Sequence, residues 1–130
     1  MSDRKRHDPK SSTVLVIDDS DIDRQVMLDL LAGAGYDVFD LPTAIGATRA
    51  ARERGARVVV IDQNLPALNG AKLAALFRSN PNMKDIRVVL ISSNDEATMA
   101  DLVRESRADA FVSKDRMHSD LVPTIKKLLL

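Results

Sequence analysis

Three stretches of the chain are apolar without interruption, and each stops at polar residues. Residues 13–19 (TVLVIDD), 57–62 (RVVVID) and 86–93 (IRVVLISS) run through valine, isoleucine and leucine and end at Asp18–Asp19, Asp62 and Ser92–Ser93. Runs without polar alternation predict strands buried on both faces, as in a parallel sheet covered by helices. Two shorter stretches, 36–41 (YDVFDL) and 110–114 (AFVSK), predict weaker second and fifth strands.

Helical patterns fill the intervals. Ile22, Val26, Leu30 and Ala34 recur at spacing four, and Gly35 is placed to end that helix. Thr43 can cap a second helix over 44–54, ended by Gly55. Asn69 can cap a third, with Leu73, Leu76 and Phe77 on one face, and Asn94 or Asp95 a fourth that runs to about Arg107. Ser119 or Asp120 begins the last, with Leu121, Ile125 and Leu128 or Leu129 along one side; Pro123 fits only near its first turn. Strand then helix, five times over, predicts a doubly wound α/β domain on a five-stranded parallel sheet, with right-handed crossovers and no internal boundary from 12 to 130.

Composition narrows the class. A length of 130 residues suits one domain with a real core, and 45% apolar with 29% charged residues is ordinary for a soluble globular protein. The absence of cysteine removes disulfides and thiolate metal sites. Residues 1–11 read as a disordered polar tail: the first ten hold four of the 19 basic and two of the 19 acidic residues, leaving 15 and 17 in the body. So short a basic segment, with four aromatics in the whole chain, argues against nucleic-acid binding. The start carries no apolar secretory stretch and no run reaches membrane-spanning length, so a cytoplasmic protein without membrane contact is expected.

The polar strand ends carry the candidate chemistry. In a parallel sheet every strand's C-terminal end lies along one edge, where ligands bind at the reversal of winding. Asp18, Asp19, Asp62, Ser92, Ser93 and Lys114 therefore meet in one crevice. Taken singly, each has a plain reading: a strand-end aspartate is most often a turn or capping residue, a strand-end lysine most often solvated. Taken together they resist it, because three carboxylates on one edge repel unless a cation offsets them. An all-oxygen set suits Mg²⁺, and imidazole or thiolate ligands for zinc or copper are missing.

This pattern resembles the receiver domain of two-component response regulators, a (βα)5 flavodoxin-like fold. Asp18–Asp19, Asp62, Ser92 and Lys114 match in order, and DQNLPALNG looks like the segment after the family's phospho-accepting aspartate, with Pro66 and Gly70 at matching offsets. The resemblance spans residues 13–130. It implies that Asp62 accepts a phosphoryl group, and that Mg²⁺ is held by Asp19, by Asp62, by the Asn64 backbone carbonyl and, through water, by Asp18. It implies that Lys114 pairs with the phosphorylated aspartate, that Ser92 bonds a phosphoryl oxygen, and that Phe111 is the switch aromatic; a plain core phenylalanine is the even alternative for Phe111. Ser93, Asn94 and Gln63 are expected to line the approach, with Asn64 and Asn94 tuning phosphoryl lifetime. The implied donor is a sensor histidine kinase, a histidine phosphotransfer protein or a small phosphodonor. Output would follow a population shift across the face of the fourth helix, fifth strand and fifth helix, read by a partner the sequence does not name. The chain would not be an enzyme in the usual sense, though it would catalyse its own phosphoryl transfer and dephosphorylation.

Asp115 follows Lys114 where receivers commonly carry a proline after a cis peptide. A non-proline cis bond costs about 2.5–4 kcal/mol, so a trans bond and a differently shaped 114–120 loop stay open. The chain ends at KKLLL just after the fifth helix, which favours a stand-alone regulator over a fragment of a longer one. Two other strand-end chemistries fit less well. A haloacid-dehalogenase-type phosphatase needs an aspartate where Asn64 stands, and a flavodoxin needs a phosphate loop where DDSDIDR would repel phosphate. A phosphorylation-independent pseudo-receiver, acting as an interaction module, is the remaining alternative; its usual mark is loss of an acidic or lysine residue, and none is lost here.

Overall fold

The computed structural model describes residues 12–130, so the expected tail at 1–11 lies outside the described residues. The strands are β1 (Thr13–Ile17), β2 (Asp37–Leu41), β3 (Ala56–Asp62), β4 (Arg87–Ser92) and β5 (Ala110–Ser113). They pair in parallel in the order β2-β1-β3-β4-β5. The helices are α1 (Asp21–Gly33), α2 (Ala47–Glu53), α3 (Gly70–Ser79), α4 (Glu96–Ser106) and α5 (Met117–Leu128).

Strand pleating sorts the apolar runs onto two faces. Leu15 lies opposite Val59, and Val59 opposite Val88; these three pack with Ala51 of α2, Leu73 and Phe77 of α3 and Met99 of α4. Their neighbours Val16, Val60 and Val89 face the other way, onto Met27 and Leu31 of α1 and Leu121 and Ile125 of α5. Both faces are covered, which is why the central strands carry no polar alternation: Val14–Ile17, Val58–Ile61 and Val88–Ile91 are fully buried. Each such side chain contributes about 1.5–3 kcal/mol by leaving water.

Helix phases and ends depart from the simple patterns. In α1 the buried stripe is Met27 and Leu31, with Val26, Leu30 and Ala34 along its border, whereas Ile22 is 78% exposed. Leu73, Ala74 and Phe77 form the buried stripe of α3, and Leu76 points outward. Thr43 does not cap α2. Its hydroxyl accepts from the Ile45 amide two residues on (3.0 Å), and α2 begins after Gly46, held at φ 75. Asn69 caps α3 as expected, accepting from the Lys72 amide (2.9 Å), and Asp95 rather than Asn94 caps α4, accepting from Thr98 (2.8 Å). The last helix starts earlier than the Ser119–Asp120 signal. Ser113 accepts from the Asp115 amide (3.2 Å) and winds Lys114–Arg116 into a 3₁₀ turn that runs directly into Met117. Pro123 therefore sits in the second turn of α5, not its first. Among the described residues no peptide is cis, so Lys114–Asp115 is trans.

One glycine fixes how α3 meets the sheet. A Cβ at Gly70 would lie 2.7 Å from the Asp62 carbonyl oxygen and 2.8 Å from Gln63 Cα, both backbone atoms that cannot step aside. Gly70→Ala is therefore expected to destabilise the fold by about 1–3 kcal/mol through overpacking, read as a lower urea midpoint. An unchanged midpoint would mean that the β3–α3 junction yields freely.

Candidate active site

The strand order turns back on itself between β1 and β3. The chain passes from β1 to one neighbour and from β3 onward in the other direction, which opens a crevice at their C-terminal ends. Asp18 follows β1 and Asp62 closes β3, so both side chains stand at that crevice. Asp18 is fully buried, Asp62 is 2% exposed, and Asp19 faces solvent. One carboxylate oxygen from each of the three lies within 4.8 Å of the other two.

Local hydrogen bonds set each group. Asp18 Oδ1 accepts from the Ser20 amide (2.9 Å), and Arg24 of α1 donates to the Asp18 carbonyl (2.7 Å) and to Asp40 (2.6 Å). Asp62 Oδ1 accepts from the Asn64 amide (3.2 Å). Ser92, fully buried at the end of β4, accepts from Asn64 Nδ2 (3.3 Å) and from the Asn94 amide (3.0 Å). Both bonds use its oxygen as acceptor, which leaves the hydroxyl proton for another acceptor. Lys114 Nζ reaches into the cluster, 3.0 Å from Asp18 Oδ2 and 3.5 Å from Asp62 Oδ2. It also donates to Asp23 Oδ2 at 2.8 Å.

The electrostatics follow from this packing. Burial pushes the Asp62 carboxyl up to about 6, with the neighbouring Asp18 charge adding to the rise and the Asn64 amide and Lys114 opposing it. Burial acts to lower the Lys114 ammonium, but the contacts to Asp23 and Asp18 and the charges of Asp62 and Asp18 outweigh it, and its pKa is raised. Among the described residues, one ammonium stands among four carboxylates, Asp18, Asp19, Asp23 and Asp62, and leaves the crevice negative. Asp18 Oδ2 marks the shortfall: it is buried, and Lys114 approaches it as an ion pair without an aligned hydrogen bond. A hard divalent cation with oxygen ligands fits these residues.

The sequence-derived residues Asp18, Asp19, Asp62, Ser92, Asn64, Asn94 and Lys114 thus share one edge. Phe111 lies nearby on β5, partly buried against the α2–α4 face. Gln63 does not line the approach. It is 8% exposed, and its Oε1 accepts from the Ala71 amide (2.8 Å), tying the start of α3 to the end of β3. Asp23 and Arg24 went unassigned from the sequence. Their only signal was two charged residues in the first turn of a helix that leaves the crevice.

Known proteins match nearly the whole chain. The response regulator receiver domain family matches residues 14–126. The polar-differentiation response regulator DivK of Brucella anthropi is 22% identical over 121 residues, 93% of this chain and 97% of that protein. Two solved structures share the fold. The chemotaxis protein CheY4 of Vibrio cholerae superposes with TM-score 0.83 at 21% identity, covering 91% of this chain and 98% of that one. The receiver domain of the sensor histidine kinase PA1611 from Pseudomonas aeruginosa, solved with magnesium coordinated in its active site cleft, gives TM-score 0.81 at 18% identity, covering 92% and 98%.

The Asp62 shift has a signed consequence for stability. Its folded-state pKa lies above the ordinary 3.8, so the folded protein holds this proton more tightly than the unfolded chain. Stability is therefore lost as pH rises from about 4 through about 6. Lys114, raised, contributes throughout that window and does not bend the profile. In chelator, Asp62→Asn is expected to match the parent near pH 4 and exceed it by on the order of 1–3 kcal/mol near pH 7. Chemical denaturation at the two pH values reads the difference; a gap that does not vary with pH would contradict the buried-carboxylate account.

Proposed function

We propose that this chain, which belongs to the response regulator receiver domain family, accepts a phosphoryl group on Asp62 and passes the signal on by changing shape. The observation that carries this reading is the convergence of Asp18, Asp19 and Asp62 within 4.8 Å, with Lys114 3.5 Å from Asp62 and buried Ser92 on the same edge.

The proposed chemistry asks little of the protein beyond positioning and charge. An Asp62 oxygen attacks the phosphorus of a phosphohistidine or of a small acyl phosphate. The bond to the donor's nitrogen or oxygen breaks, the donor keeps that electron pair, and an acyl phosphate remains on Asp62. Asp19, Asp62 and the Asn64 carbonyl, with Asp18 through water, would hold Mg²⁺, which offsets the charge of the carboxylates and the incoming phosphoryl oxygens. Lys114 pairs with the phosphoryl group. Ser92 turns its unused proton to a phosphoryl oxygen, and its movement makes room for Phe111 to turn inward, shifting the α4–β5–α5 face between two populations. Asn64 and Asn94, bonded to Ser92 from either side, bear on how long the group survives. Attack of water then returns Asp62 and releases phosphate, so each full cycle consumes one phosphodonor and one water and resets the signal.

Residues 12–130 would form the working receiver, preceded by a polar tail, in the cytoplasm. Its donor would be a sensor histidine kinase or histidine phosphotransfer protein, its output a protein rather than a nucleic acid or a membrane. No helix among the described residues is long and apolar enough to cross a membrane.

Incubation with acetyl phosphate and Mg²⁺, followed by intact mass, tests the reading. One added phosphoryl group is expected, lost with chelator and with Asp62→Asn. If the unsubstituted chain gains none and also fails to bind beryllofluoride with Mg²⁺, the protein is a pseudo-receiver and the proposed chemistry falls.

A further inference from the structure

The tightest contact of Lys114 is not with the proposed acceptor. Its Nζ lies 2.8 Å from Asp23 Oδ2 and 3.5 Å from Asp62 Oδ2. Asp23 stands in the first turn of α1, 91 positions from Lys114 in sequence, on the wall of the crevice formed by a different element. The Lys114 side chain is only 15% exposed, so solvent screens the contact less than at an open surface pair.

We propose that Asp23 is a positioning residue that restrains Lys114. It would hold the ammonium on the α1 side of the crevice until a phosphoryl group on Asp62 draws it across; the inference rests on the acceptor reading above. An ammonium has three donors, and here Asp23, Asp18 and Asp62 surround it. A phosphoryl group on Asp62 that draws the ammonium toward itself lengthens the 2.8 Å hydrogen bond to Asp23 on the α1 side. Asp18 and Asp62 are buried and fixed by the Ser20 and Asn64 amides. Asp23, with a side chain 31% exposed, can turn to water at least cost. The exchange would couple phosphorylation to α1 as well as to the α4–β5–α5 face, because release of Asp23 uncouples the first turn of α1 from the end of β5.

The bland account is that Asp23 merely adds negative charge at a helix start, where it would act with or without Lys114. A double-mutant cycle separates the two, using Asp23→Asn, Lys114→Met and the pair, with beryllofluoride affinity at saturating Mg²⁺ as the readout. The α1 cap survives the substitution, since Ser20 accepts from the backbone amide of Asp23 and not from its side chain. Asp23→Asn is expected to tighten beryllofluoride binding about fivefold in the parent and less than about twofold in Lys114→Met. Asp23→Glu is expected to return most of the restraint. Equal effects in both backgrounds, or weaker binding by Asp23→Asn, would overturn the restraint. Failure of the unsubstituted chain to bind beryllofluoride would instead overturn the acceptor reading beneath it.

Discussion

Like charges held at one end of a rigid sheet are the constraint on which this molecule turns. Two carboxylates, Asp18 and Asp62, are withdrawn from water beside a third, Asp19, and among the described residues a single ammonium, that of Lys114, reaches them. Such a group costs stability unless cations and amides offset it. The fold tolerates it because the strands that carry it cannot relax: β1 and β3 are hydrogen-bonded neighbours with fully buried side chains on both faces. Charge kept in place by a close-packed core is preorganised for a divalent cation, and in the proposed reading that cation also offsets the incoming phosphoryl oxygens.

The supporting contacts all serve that rigidity. Gly70 lets α3 approach the Asp62 carbonyl as no other residue could, and Gln63 ties the amide of Ala71 to the same strand end. Arg24 grips the carbonyl of Asp18 from α1. On the other side, Asn64 bridges the Asp62 turn to Ser92 through two hydrogen bonds. Phe111 is neither exposed nor fully buried and packs against the α2–α4 face.

Most of this was legible in the chain, for physical reasons. Central strands buried on both faces need unbroken runs of valine, isoleucine and leucine, and their ends share an edge by topology alone, so Asp18, Asp19, Asp62, Ser92 and Lys114 could be grouped before any coordinates. Helix detail was less legible. Spacing four fits two adjacent stripes of one helix, and only packing chose Met27 and Leu31 over Ile22. Thr43 shows the same limit, since its hydroxyl can cap either a helix or a local turn and took the turn, while Ser113 caps the 3₁₀ turn that starts the last helix early. From sequence, Gln63 falls on the approach and Asp23 goes unassigned, because the contacts each makes, to Ala71 across a junction and to Lys114 across the fold, are encoded by no local pattern.

The most direct test follows the Asp62 carboxyl carbon by NMR through a pH titration, without and then with Mg²⁺. This account predicts a midpoint near 6 without the ion, as burial demands, and a fall of about one unit or more once the cation is present. A midpoint near the ordinary carboxylate value that Mg²⁺ leaves unmoved would show that the cluster is neither strained nor a cation site, and would remove the electrostatic basis for phosphoryl acceptance.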